Sequence, residues 1–234
     1  MAILKSAFDK EIFPIGEVRQ HKGTPSEKVR DYPLYDLIPS DTIEQIQWRI
    51  GVRERAHRDI SFRAGVINAC RNDILFFINT FCWVFEPRPT PRVLPMNTWR
   101  DQDDVIAWMD ECYGTREVGI EKSRGVGASW NAIALFFHKW LFVPRAAMAV
   151  ISRTEEAADT RDDPDCLMWK LDFLYENLPY WLREDSEGRG ILERNYGTHK
   201  FLNRANGASI YGYAATGDVT TGGRKTAVLL DEFA

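Results

Sequence analysis

Apolar and polar positions follow different rhythms in successive parts of this chain, and each rhythm predicts a different element. Residues 1–40 carry several prolines, many charges and little periodicity, which predicts a partly flexible arm. From Asp41 to Ala56 the spacing of Ile43, Ile46, Trp48 and Ile50 among polar residues predicts a helix, with Ser40 or Asp41 as its cap. A more apolar helix should follow from about Ala64 to Val84, containing Ile67, Ile74, Leu75, Phe76, Phe77, Ile78 and Phe81. The prolines at 87, 89, 91 and 95 should end it. Residues 41–95 therefore read as a helical N-terminal or lid subdomain, and residues 96–234 as the core.

In the core, Val105, Ile106, Trp108 and Met109 mark another helix, preceded by Trp99-Arg100-Asp101-Gln102. Val118-Gly119-Ile120 reads as a strand entering a glycine-containing loop, and Ala128 to about Phe142 as a helix apolar nearly all round, hence buried on several sides. Ala146 to Ile151 looks like a buried strand whose end, Ser152-Arg153-Thr154-Glu155, resembles a capping box. Leu167, Leu171, Leu174 and Leu178 mark one helical face between Pro164 and Pro179. Residues 190–213 suggest short strands and a hairpin, and residues 214–224 a loop. The loop leads to Ala227-Val228-Leu229-Leu230, which reads as a buried parallel strand delivering Asp231 and Glu232 to its C-terminal edge.

Composition narrows the classes. With 234 residues, 44% of them hydrophobic, the chain can bury a substantial core. A net charge of -4 gives no bulk attraction to nucleic acid, so any DNA contact requires a local basic surface. Cys70, Cys82, Cys112 and Cys166 fit neither a zinc pattern nor a disulfide framework and read as buried free thiols in a reducing cytosol. No signal peptide is visible, and the longest apolar stretch, Ala132 to Val143, is too short and too interrupted to span a bilayer.

The chemistry is concentrated in two motifs. Glu121-Lys122-Ser123-Arg124-Gly125-Val126-Gly127-Ala128-Ser129, between strand and helix, would aim backbone N–H groups and a helix N-terminus at one point, as a polyphosphate requires. Against the standard phosphate loop, Gly127 and Ser129 fall in place, but Ala128 occupies the lysine position and Lys122 the first glycine position. The cation would then reach the phosphates from the front of the loop. In the second motif Asp231 would hold Mg²⁺, and Glu232 would orient or deprotonate water. Gln102 has an amide suited to the N6 and N7 edge of adenine; the plainer reading is a solvated residue on a helix face.

These ordered features resemble the large terminase subunits of tailed bacteriophages, ATPases that drive DNA into procapsids. The likeness runs from about Asp73 to Ala234 and rests on Asn79-Thr80-Phe81, Glu86-Pro87-Arg88, Gln102, the Lys122–Ser129 loop, Ile151-Ser152-Arg153 and Leu229-Leu230-Asp231-Glu232. It implies an α/β fold: a P-loop NTPase core of the additional-strand, conserved-glutamate type, three-layered with a mostly parallel sheet, behind the helical subdomain. It also implies ATP and Mg²⁺ as cofactors, with Lys122, Ser123, Arg124, Gly125, Val126, Gly127, Ala128 and Ser129 around the phosphates and Gln102 near adenine. Ser129 and Asp231 would hold the metal; Glu232 would be catalytic, Arg124 would sense the γ-phosphate, and Arg224 would serve as an arginine finger, with Arg153 a weaker candidate. The implied partners are double-stranded DNA, a portal protein, a small terminase subunit and further copies in a ring, in the host cytoplasm and without a membrane. In that family a later strand lies between the two motif-bearing strands and a nuclease domain follows, so the chain reads as an N-terminal portion. The alternatives are another nucleic-acid-dependent ATPase such as a helicase, or an interaction module that binds no nucleotide.

Overall fold

The computed structural model describes residues 26–29, 31–123, 125–215 and 224–231, and they form an α/β protein. The chain divides into two compact units, Met1–Trp108 and Met109–Ala234. The expected arm over 1–40 lies largely outside the described residues, which begin with short 3-10 turns at Glu27–Val29 and Tyr35–Leu37.

Three helices lead the first unit: α1 (Thr42–Arg58), α2 (Ile60–Asn72) and α3 (Ile74–Phe81). Asp41 is the cap of α1, its carboxylate accepting the N–H groups of Ile43 at 2.9 Å and Glu44 at 3.0 Å. The buried stripe of α1 is Gln45, Trp48, Arg49, Val52 and Ala56, at helical spacing. Ile43 and Ile50, part of the pattern that predicted the helix, instead face solvent. The single helix expected over Ala64 to Val84 is broken by Asp73, whose buried carboxylate accepts the Phe76 N–H at 2.7 Å and starts α3. Asp59 does the same for α2, accepting from Phe62 at 3.0 Å. After α3 come the antiparallel strands β1 (Trp83–Glu86) and β2 (Arg92–Pro95), paired from Trp83↔Pro95 to Glu86↔Arg92. The prolines at 87, 89 and 91 thus shape a hairpin turn, and α3 ends before them at Cys82, whose N–H still donates to Ile78.

Polar groups thread this unit's core. Asn79 Nδ2 donates to the carbonyl of Leu75 and to Thr98 Oγ1, both at 2.9 Å, while Asn79 Oδ1 accepts from Gln45 and from the Thr98 N–H. Thr98 donates to Asp103, which also accepts the Tyr35 hydroxyl at 2.8 Å. Arg49, 1% exposed, donates to the carbonyls of Cys82, Ile78 and Met96. Each buried donor thereby recovers part of the hydration it lost.

The division between units falls within α4 (Arg100–Cys112). In the second unit, α5 (Ala128–Phe142) occupies the predicted span and buries Asn131 through His138, Trp140 and Leu141, in keeping with its apolar circumference. It packs on α7 (Leu167–Glu176), with Trp130 edge-on to Phe173 at 5.8 Å and Trp140 edge-on to Tyr175 at 5.9 Å. The short helices α6 (Glu155–Ala158) and α8 (Tyr180–Arg183) complete the set. The cap of α6 is Thr154, accepting from Ala157 at 3.1 Å, two residues later than a box beginning at Ser152 would place it.

Five strands make the sheet: β3 (Ala147–Ser152), β4 (Leu192–Asn195), β5 (Lys200–Asn203), β6 (Ser209–Ala214) and β7 (Ala227–Leu230), in the order β4-β5-β6-β3-β7. β3 pairs in parallel with β6 and β7, whereas β4-β5 and β5-β6 are antiparallel. The sheet is therefore mixed, not mostly parallel: the short turns joining β4 to β5 and β5 to β6 permit only antiparallel neighbours. Two strand expectations are also corrected. β7 is an edge strand with Val228 and Leu230 exposed at 45% and 48%, because on one side it has β3 and on the other no strand among the described residues. Val118–Ile120 forms no strand, having no ladder partner among the described residues.

Candidate functional site

The parallel pairing of β3 and β7 sets the position of Asp231. Its N–H donates to the Ile151 carbonyl at 3.0 Å, extending the ladder one residue beyond β7 and placing its side chain at the C-terminal end of both strands. The other end of β7 is pinned by Thr226, whose N–H donates to Ala147 O and whose hydroxyl accepts the Ala147 N–H at 3.1 Å.

The loop before α5 brings the second component. Gly125 and Gly127 have φ of 82° and 73°, a backbone region that favours glycine. A Cβ at Gly125 would meet nothing within 4 Å, so at that position the residue is required by conformation alone. Gly127 is the cap of α5 and supplies no side-chain acceptor to its first N–H groups. Ser129, in the first turn of α5, donates its hydroxyl to Asp231 Oδ2 at 2.8 Å across 102 residues of sequence. The loop and the strand predicted to share a site thus meet there.

A lysine that sequence patterning passed over stands nearby. Lys170 on α7 is 7% exposed and donates to the carbonyls of Pro164, Asp165 and Cys166 at 3.0, 2.7 and 3.3 Å. Its ammonium lies 5.8 Å from the Trp130 ring centre. Burial pushes its pKa down, against the charges of Asp165 and then Asp231. The leucine spacing of α7 marked only the apolar face, and nothing in the sequence signals that a lysine between those leucines reaches back to cap a loop.

The remaining predicted residues divide clearly. Lys122, Ser123 and Gly125 are exposed; Val126, Gly127, Ala128 and Ser129 are half-buried. Arg124, Glu232 and the loop residues 216–223 lie outside the described residues. Arg224 is exposed, and the neighbouring Lys225 lies over the rings of Tyr211 and Tyr213 at 4.7 and 5.8 Å. Arg153 is exposed just after β3. Gln102 belongs to the first unit, where its Oε1 accepts the Trp99 N–H at 3.3 Å. That is the backward reach of a third-position glutamine in a capping box, a structural use different from both adenine recognition and plain solvation.

Beside β7 a cavity of 770 Å³ is lined by residues of the second unit, among them Tyr113, Val118, Ile120, Leu135, Phe136 and Val228. Both the edge strand β7 and the segment 118–120 border it. Among the described residues no group of three or more His, Cys, Asp or Glu gathers as for a metal ion. The donors that do converge, one hydroxyl and one carboxylate, match the sparse protein ligation of magnesium, which keeps several waters and takes phosphate oxygens. All four cysteines are free and buried, and no described helix is long and apolar enough to cross a membrane.

Comparison of the chain with protein-family models and with curated proteins finds no match.

Proposed function

We propose that the second unit is the P-loop ATPase core of a viral DNA-packaging terminase large subunit, hydrolysing ATP to drive double-stranded DNA into a procapsid. The observation that carries this reading is the 2.8 Å hydrogen bond from Ser129 to Asp231. Two motifs chosen for their magnesium and phosphate chemistry, remote in sequence, meet at the N-terminus of α5 and the C-terminal end of β7. The cavity beside β7 adds support, since an additional-strand core has one more strand between its loop-bearing strand and its acid-bearing strand.

In this reading the triphosphate lies on the backbone N–H groups of the 122–129 loop and the first turn of α5, where the helix dipole favours negative charge. Lys122 and Arg124 offset phosphate charge. Ser129 and Asp231 hold magnesium, which when bound supplies positive charge to the phosphate oxygens. Glu232 orients the attacking water, and Arg224 reaches a neighbouring copy in a ring. The portal protein, the small terminase subunit and the host cytoplasm complete the proposed setting.

Mg-ATP should raise the thermal unfolding midpoint of the chain, as linkage requires of a ligand that binds only the folded state. Ser129→Ala and Asp231→Asn should each remove most of that shift without lowering the midpoint of the nucleotide-free protein by much. An unchanged midpoint in saturating Mg-ATP, or a wild-type response from both variants, overturns the proposal.

A further inference from the structure

His199 lies in the turn between β4 and β5 with φ of 48°, and its ring is engaged at both nitrogens. Nδ1 is 3.0 Å from Asp159 Oδ2, and Nε2 is 2.6 Å from Glu155 Oε1. A neutral imidazole has one N–H, so it can serve one carboxylate while turning a lone pair toward the other. Only the imidazolium donates to both. Glu155 opens α6 and Asp159 closes it, so the two bonds grip both ends of that helix. Gly212 on β6 lies against the pair: a Cβ there would crowd Met168 Cγ at 3.0 Å and make ordinary contact with His199 Cβ at 3.5 Å and Asp159 Cβ at 3.6 Å.

The charges around the ring are asymmetric. The Asp159 side chain, 1% exposed, also accepts from Arg194 of β4 at 2.5 Å, and Arg194 continues to Asp172 of α7 at 3.0 Å. Burial pushes Asp172 up to about 6 against the pull of Arg194. Arg194 and Arg161 lie over the Tyr196 ring, and Lys200 pairs with Glu193 at 3.6 Å. Asp159 therefore keeps Arg194 whatever the state of the imidazole, whereas the Glu155 side chain is 66% exposed and meets the clasp at its solvent end.

We propose that His199 is a proton-operated clasp, which when charged ties both ends of α6 to the β4–β5 turn and when neutral releases Glu155 and loosens the first turn of α6. The segment Ser152–Thr154, which leads from β3 into α6, would loosen with it. Burial lowers the His199 pKa, but the hydrogen bonds and charges of Asp159 and Glu155 outweigh it and hold it above 6.5. The stabilisation is then complete below the unfolded-state value and is lost as pH rises through the higher folded-state value. This inference stands whether or not the chain binds nucleotide.

The test is imidazole ¹⁵N NMR on the whole chain from about pH 5 to about pH 9, spanning the range in which histidine charges, with His199→Gln assigning the resonance. Amide exchange of α6 is followed alongside, as protection factors. His199 should titrate above 6.5, with both ring nitrogens protonated below its midpoint. Protection of α6 should fall about fivefold across that midpoint while α5 stays constant. Glu155→Gln, at an exposed position, should lower the midpoint and remove most of the fall; it carries the test if His199→Gln does not fold. A midpoint at or below 6.5, or α6 protection that is flat through it, overturns the clasp.

Discussion

The first unit ties its buried polar groups into its core, whereas the second, which also buries Lys170 and the Arg194 pairs, leaves the groups of its candidate site at a rim. Arg49, buried on α1, spends its guanidinium on the carbonyls of Cys82, Ile78 and Met96, and Asn79 is saturated by Gln45, Leu75 and Thr98. In the second unit Lys122 and Ser123 are exposed, Gly127 gives α5 no side-chain cap, and Val228 and Leu230 of β7 face outward. A polar group tied into a core network fixes a fold, because freeing it costs its lost hydration. One held at a strand end or helix N-terminus with unused donors is available to a ligand. The contrast separates the buried arginine, which holds the fold, from the modest Ser129–Asp231 pair, which marks the candidate site.

That contrast can be broken most forcefully at Arg49. Burial pulls its guanidinium down to about 9, so it is still charged at neutral pH, and truncation takes a donor from each of three carbonyls, of which those of Ile78 and Cys82 keep a backbone N–H. Arg49→Ala should cost roughly 3–5 kcal/mol in denaturant unfolding. A loss comparable to that of a surface substitution would show that the network is not what holds the first unit. Asp73 gives a smaller test, since it caps α3 through Phe76 and also accepts the Leu34 N–H at 3.3 Å. Asp73→Ala should cost about 1–2 kcal/mol, and Asp73→Asn, which keeps an acceptor, clearly less. Smallest of all should be Val228→Thr on the outer face of β7, within about 0.5 kcal/mol of wild type by the same measurement. A larger loss would mean that this face is packed, and would remove the distinction between a closed first unit and an open second one.

Much of the local structure was legible in the residues. The boundaries of α5 follow from its largely apolar run after two closely spaced glycines, and Asp41 and the periodic residues after it locate α1. The errors share a cause. The break at Asp73 follows the polar pair Arg71-Asn72 and opens a strongly apolar stretch, and apolar residues on both sides masked a single capping carboxylate. Ile43 and Ile50 pointed to the wrong face of α1, because the core accepts Gln45 and Arg49 in exchange for hydrogen bonds that no hydropathy pattern reveals. Val228 and Leu230 read as buried since an apolar run looks the same in a central strand and at an edge.

The sequence alone determined which residues are candidates for phosphate and metal chemistry and, for the most part, where strands and helices alternate, because these depend on residue type and short-range spacing. Tertiary structure alone decided that Ser129 reaches Asp231, that His199 bridges the two ends of α6, and that Lys170 caps a loop beside the Trp130 ring. Those contacts join residues tens of positions apart or on separate elements, and their existence depends on strand order and register. Hydrophobic periodicity records which face of an element is buried, but not which neighbour buries it.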